Sequence, residues 1–189
     1  MKKKVYGIAG YIGSGKSMAG AYFKALGADF IDADEVVDGL YQKGEAGYEK
    51  IVQYFGDRFL RKDGSLDRKK IARFIFNDAN KLKIINNLIH PLVTLEIKKR
   101  INASKAEVVF IEAICFLPTQ IGALVDKILW IDCGKKILKE RVEKSGGLMF
   151  EIIYKSQKKP GEINEVVENV VDKATFRRAL KKVWDKWCV

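Results

Sequence analysis

The chain has 189 residues, 48% of them apolar and 31% charged, which suits one folded domain with a sizeable core and excludes a disordered chain. Thirty-five basic residues against 24 acidic ones give a formal net charge of +11, favouring an anionic partner such as a nucleotide, a nucleic acid or an acidic membrane surface. Cys115, Cys133 and Cys188 are far apart and lack C-x-x-C spacing, which argues against a zinc site or disulfide framework and for a reducing compartment.

In chain order, Lys2-Lys3-Lys4 is followed by an apolar run that glycines interrupt at once, unlike a signal peptide, and no stretch approaches a membrane span. A cytoplasmic protein with no membrane partner is expected. Val5 to Ala9 reads as a strand and Met18 to Leu26 as a helix. Between them, Gly10-Tyr11-Ile12-Gly13-Ser14-Gly15-Lys16-Ser17 has the form G-x-x-x-x-G-K-S, a phosphate-binding loop. Glycines let backbone N–H groups turn around anionic oxygens, and the following helix N-terminus adds a favourable dipole. Lys16 is expected to bridge the outer phosphates of ATP and Ser17 to ligate Mg²⁺. Gly10, Gly13, Ser14, Gly15 and Met18 complete the expected nucleotide contacts, and Lys16 is expected to be exposed and of little weight in folding.

Ala28 to Asp34 reads as a second strand that runs out into carboxylates. No convincing strand follows until about Ala106. Val36–Tyr41, Tyr48–Phe55, Lys69–Phe76 and Lys81–Ile89 carry apolar residues at helical spacing, Asp63-Gly64 is a turn, and Asp67 suits the N-cap of a helix from Arg68. Pro91 is expected to start another helix ending near Ala103. Val108–Ile111, ending at Glu112, and Lys127–Ile131, ending at Asp132, are strands three and four. Apolar strands alternating with helices predict a parallel sheet covered on both faces, with ligands at the strand C-termini. That rule lines up the phosphate loop, Asp32, Asp34 and Glu112. Gly134 to Pro160 carries a net charge of +5 and is split by Gly146-Gly147 into two helical arms, which suits either a lid over phosphates or a solvated helix pair. A strand near Val166–Val171 and a helix over Thr175–Trp187, packing Phe176, Leu180, Val183 and Trp184 on the sheet, close the chain.

At this point the ordered motifs resemble the dephospho-CoA kinase family over almost the whole chain. The opening G-I-A-G-Y-I-G-S-G-K-S is followed by Asp32-Ala33-Asp34, similar to the family's D-A-D, and by Phe55-Gly56 with Asp63-Gly64-Ser65-Leu66-Asp67-Arg68, similar to F-G…D-G-x-L-D-R. Phe76-Asn77-Asp78 and His90-Pro91-Leu92-Val93 match F-N-D and H-P-x-V. The resemblance implies an α/β, P-loop kinase-like parallel sheet flanked by helices, formed by residues of about 1–34, 106–133 and 161–189. It implies a helical acceptor-binding insert over about 35–105 and a lid over about 134–160. The implied reaction is ATP-dependent phosphorylation of the ribose 3′-hydroxyl of dephospho-CoA, giving CoA and ADP with Mg²⁺.

The resemblance makes Asp34 the candidate base and an acceptor-binding residue, a role that a strand-end carboxylate can also fill chemically; capping the next helix is the alternative. It makes Arg141, the first arginine of R-x-x-x-R, a catalytic and nucleotide-binding residue, and Glu112 an acid supporting Mg²⁺. His90, the only histidine, is either a structural cap or an acceptor contact. The chain departs from the family pattern at Ala9, Tyr11, Asp38, Ile114–Pro118, Ser145 and Ile153. The alternatives to this enzyme are a P-loop kinase for another metabolite and a nucleotide-binding regulator without turnover. Nucleic-acid binding rests on charge alone, since no recognition motif accompanies it.

Overall fold

A computed structural model describes residues 3–75, 78–113, 121–146, 150–157, 159–170 and 172–189. Phe76 and Asn77 of F-N-D, Cys115 with the 114–118 run, Gly147, and Val171 at the end of the last expected strand lie outside them. The chain divides into two compact units, 1–32 with 103–189, and 33–102.

The first unit is a five-stranded, all-parallel sheet of β1 (Lys4–Ala9), β2 (Asp29–Asp32), β3 (Val108–Glu112), β4 (Lys127–Asp132) and β5 (Glu165–Glu168), in the order β2-β3-β1-β4-β5. The chain leaves β1 toward one edge and later returns to its other side. The C-terminal end of β1 therefore sits at the topological switch point, where such sheets bind ligands. β3 is buried at every residue, the mark of a strand covered on both faces.

One face of the sheet carries α1 (Lys16–Ala25) and α8 (Lys173–Trp187). Tyr6, Ile8, Phe110, Leu129 and Ile131 from the strands meet Phe23 of α1 and Phe176, Leu180, Val183 and Trp187 of α8. Phe23 stacks on Phe110 with centroids 4.1 Å apart. The expected apolar set of the last helix packs as read, with Trp184 partly buried against the cluster, and Trp187 joins it as a further buried residue. Tyr6 donates its hydroxyl to the Trp187 carbonyl at 2.7 Å, and burial pushes its pKa up to about 12. Asp172 caps α8 by accepting from the amides of Ala174 and Thr175. The basic 134–160 segment forms α6 (Lys135–Lys144) and α7 (Phe150–Ser156), with Gly146 at φ +82° after α6.

The second unit contains α2 (Ala33–Leu40), α3 (Ala46–Phe55), α4 (Arg68–Ile75) and α5 (Ala79–Ala103). Two expectations change here. β2 ends at Asp32 and α2 starts at Ala33, so Asp34 lies in the first turn of a helix rather than at a strand end. Negative charge is favoured there by the helix dipole. Pro91 does not start a helix; it lies inside one continuous α5. The reason is burial. Ile85, Ile89, Val93, Ile97 and Ile101 recur every fourth residue straight through Pro91, and the apolar stripe outweighs the lost Asn87 hydrogen bond.

Pro91 is exposed and donates nothing, so Pro91→Ala restores a main-chain donor without opening a cavity. Urea unfolding should show a gain of about 1–2 kcal/mol, the interior-proline cost less the entropy that proline removes from the unfolded chain. Unchanged or lower stability would mean that the pyrrolidine ring packs in a way alanine does not replace.

Candidate active site

The loop between β1 and α1 is shaped by close approach. A Cβ on Gly10 would lie 2.5 Å from Ser14 Oγ and 2.7 Å from the Ile131 carbonyl oxygen. Gly13 and Gly15 adopt φ of +79° and +100°, which only glycine takes without strain. The Ser14 amide donates to the Tyr11 carbonyl at 3.1 Å, and buried Ser14 Oγ has no hydrogen-bond partner among the described residues. A buried orphan hydroxyl inside a glycine cradle fits an incoming anionic oxygen.

Three of the expected site residues meet beside this cradle. Lys16 is buried rather than exposed, with Nζ 3.4 Å from the Tyr11 carbonyl and 3.8 Å from Glu112 Oε1. Its removal therefore strips a counter-ion from a buried carboxylate and costs stability as well as phosphate contact. Ser17 Oγ donates to the same Glu112 Oε1 at 3.3 Å. Sheet register explains the convergence: Glu112 pairs with Ile8 of β1 on one side and with Asp32 of β2 on the other. Met18, by contrast, is exposed on α1.

The loop is gripped from the far side by its carbonyl groups. Arg141 on α6 donates to the Gly13 carbonyl at 3.3 Å and to the Asn169 carbonyl at 2.9 Å. Asn169, buried just beyond β5, donates Nδ2 to the Ser14 carbonyl at 2.8 Å. Its own amide is held by the Asp132 carbonyl at 2.9 Å. Gln157 Oε1 accepts from the Ile12 amide at 2.9 Å. The sequence reading did not single out Asn169. The strand-end rule that flagged Asp32 and Glu112 applies equally to the residue after Glu168 and was its available signal.

Comparison with known proteins fixes the lineage. A family model described as dephospho-CoA kinase matches residues 4–180. The dephospho-CoA kinase of Aquifex aeolicus is 31% identical over 97% of both chains. That of Nitrosospira multiformis is 26% identical over 97% of this chain and 96% of its own. Among solved structures, a Thermus thermophilus protein covers both chains completely at 24% identity with a TM-score of 0.83. A Campylobacter jejuni dephospho-CoA kinase covers 98% of both at 21% identity and 0.59. The chain belongs to the dephospho-CoA kinase family.

Against the pattern of the dephospho-CoA kinases, two of the departures, Tyr11 and Ser145, find physical roles. Tyr11, in a glycine's place, packs its ring 4.5 Å from Tyr154 of α7 and edge-on to Trp130 at 5.1 Å. With Ile12 it adds to the buried cluster of Cys133, Leu138, Val142 and Phe150, seating α6 and α7 on the loop. Ser145, in an arginine's place, folds its hydroxyl back onto the Val142 carbonyl. Cys133 is buried, and burial raises its thiol pKa, so it behaves as a core residue.

The other expected site residues belong to the helical unit. Asp34 is in the first turn of α2. His90 lies mid-way along α5, which removes the capping alternative. It is half-buried, its carbonyl accepts from Thr94 Oγ1 at 2.9 Å, and burial lowers its pKa below the usual histidine value. Among the described residues no His/Cys/Asp/Glu cluster is arranged to hold a metal on its own.

The grip on the loop predicts a measurable effect. Asn169→Ala leaves the buried Ser14 carbonyl without its donor and should cost about 1–3 kcal/mol in denaturant unfolding. It should also raise the KM for ATP more than it lowers kcat. Wild-type stability and KM together would show that Asn169 does not hold the loop.

Proposed function

We propose that this chain transfers the γ-phosphoryl group of ATP to the ribose 3′-hydroxyl of dephospho-CoA, giving CoA and ADP. The observation that carries the reading is the meeting of Lys16, Ser17 and Glu112 at a glycine cradle, in a chain of this family. Buried Lys16 beside the cradle supplies a fixed positive charge to the outer phosphates as negative charge builds on them. Arg141 already lies against the loop at Gly13, and a shift of its guanidinium from a carbonyl to a phosphate oxygen exchanges a neutral acceptor for a charged one. Ser17 and Glu112 are hard oxygen donors suited to Mg²⁺, taken directly or through water. When bound, the ion neutralises charge on the β- and γ-phosphates.

On the acceptor side, the 3′-oxygen attacks the γ-phosphorus, the bond from that phosphorus to the β–γ bridging oxygen breaks, and ADP leaves. The hydroxyl proton passes to the Asp34 carboxylate, which also orients the nucleophile. Support for Asp34 comes from its place in D-A-D, two residues after Asp32, whose strand position pairs with Glu112. His90 is assigned to acceptor binding on its resemblance to the H-P-x-V motif. The basic helices α6 and α7 act as the lid, excluding water once both substrates are bound. No described helix is long and apolar enough to cross a membrane, and a cytoplasmic location is part of the same proposal.

Asp34→Asn separates a base from a structural residue. The amide keeps the shape and caps helices nearly as well, so folding and ATP affinity should persist. Steady-state assays should show kcat reduced at least about 10²-fold. A kcat within a few-fold of wild type would remove Asp34 from the reaction.

A further inference from the structure

The helical unit contains a cationic cleft, one of whose cations, Arg68, ends the Asp63–Arg68 motif. It has a volume of about 210 Å³ and is lined by Lys43, Arg61 and Arg68, with Asp38, Tyr41 and Ser65 among its other walls. The turn that presents Arg61 is firmly built. Arg61 N donates to the Ser65 carbonyl at 2.8 Å, Gly64 N donates to the Arg61 carbonyl at 3.0 Å, and Ser65 is bonded twice to Asp63. Tyr48 anchors the same turn through its hydroxyl on the Gly64 carbonyl at 3.0 Å. Lys43 lies against this turn, its Nζ 3.1 Å from where a Gly64 Cβ would stand. Of the three cations, Arg68 is ion-paired to Asp38. Arg61 faces Asp67 at 4.0 Å and the exposed Asp63 carboxylate of its own turn, and Lys43 makes no ion pair among the described residues. A concave site with two weakly compensated cations and a third held by an exchangeable carboxylate is suited to a multiply charged anion.

The position of the cleft says which anion. Asp34 and Asp38 are four residues apart on α2, so they share a face about 6 Å apart along the axis. Tyr41, three residues further, continues that line into the cleft. In dephospho-CoA the ribose 3′-hydroxyl and the 5′-diphosphate are separated by a few covalent bonds, a span of the same order as one helical turn. We propose that the Lys43–Arg61–Arg68 cleft is the subsite for the diphosphate of the acceptor. The assignment rests on the reading that Asp34 meets the 3′-hydroxyl. Asp38 stands where the family pattern often has arginine, and its carboxylate competes with the diphosphate for Arg68. It thereby limits acceptor affinity in this chain.

The test uses the full chain and two variants of opposite sign, Lys43→Gln/Arg61→Gln and Asp38→Asn. The double variant should raise the KM for dephospho-CoA at least about 10-fold, as expected for two charge-assisted hydrogen bonds. Its kcat and its KM for ATP should stay within about twofold. Asp38→Asn should lower the KM for dephospho-CoA, because Arg68 is released; a residue with only a structural role does not tighten binding when altered. An unchanged KM for dephospho-CoA in the double variant overturns the subsite, and a KM raised for ATP instead assigns the cleft to the nucleotide and overturns it equally. If the wild type makes no CoA at all, the acceptor reading fails. Inorganic diphosphate is then titrated calorimetrically into protein saturated with a non-hydrolysable ATP analogue. Binding by wild type that the double variant loses supports the anion site, and equal heats from both contradict it.

Discussion

A loop that binds phosphate with its main-chain N–H groups can spend few of them on its own secondary structure, so most of its hold must come from elsewhere. In this chain the holding is done through carbonyls. Ser14 N and Lys16 Nζ reach the Tyr11 carbonyl, Arg141 reaches that of Gly13, and Asn169 that of Ser14. Apart from the loop's own Ser14 amide, these donors come from α1, α6 and the end of β5, so the sheet and its helices fix the cradle together. The glycines follow from the same constraint: at Gly15 a Cβ would stand 2.3 Å from Asn169 Nδ2. The residue that grips the loop thus excludes any side chain there.

Charge is arranged economically around the cradle. Lys16 and Glu112 are both buried and close, which compensates each of them before substrate arrives. Under the proposed function a polyphosphate would offer Lys16 a second, stronger partner and leave Glu112 and Ser17 as oxygen donors for a cation. The helical unit repeats this logic at lower density, where Arg68 is held by Asp38 on exposed side chains. Such pairs are screened by salt and exchange readily, as a site for a charged substrate arm requires.

Much of this was legible in the sequence because the signals were local. G-x-x-x-x-G-K-S announced the loop, β-branched runs announced β3 and β4, and the strand-end rule placed Glu112 beside the phosphate loop. What escaped depended on partners distant in sequence. The buried state of Lys16 comes from β3, almost a hundred residues away, and Asn169 becomes a loop support only when β5 lies beside β4. Pro91 misled because its local rule is sound; the stripe from Ile85 to Ile101 overrode it through burial that no short window reveals. Asp34 passed from strand to helix because the boundary lies two residues earlier than the sequence pattern suggested, a place where hydrogen-bonding and sequence patterns routinely differ. Tyr11 lost its glycine's freedom but gained an aromatic seat against Tyr154, a trade visible only once α7 is in place.

The central claim is chemical: one phosphoryl group moves from ATP to a single hydroxyl of dephospho-CoA. Its most direct measurement is transfer of label from ATP carrying ³²P at the γ-position, with Mg²⁺ and dephospho-CoA, followed by phosphorus and proton NMR of the product. The account predicts stoichiometric ADP and label carried entirely by the ribose 3′-phosphate of CoA. Label released as inorganic phosphate, or found on another acceptor while dephospho-CoA stays unmodified, would contradict it.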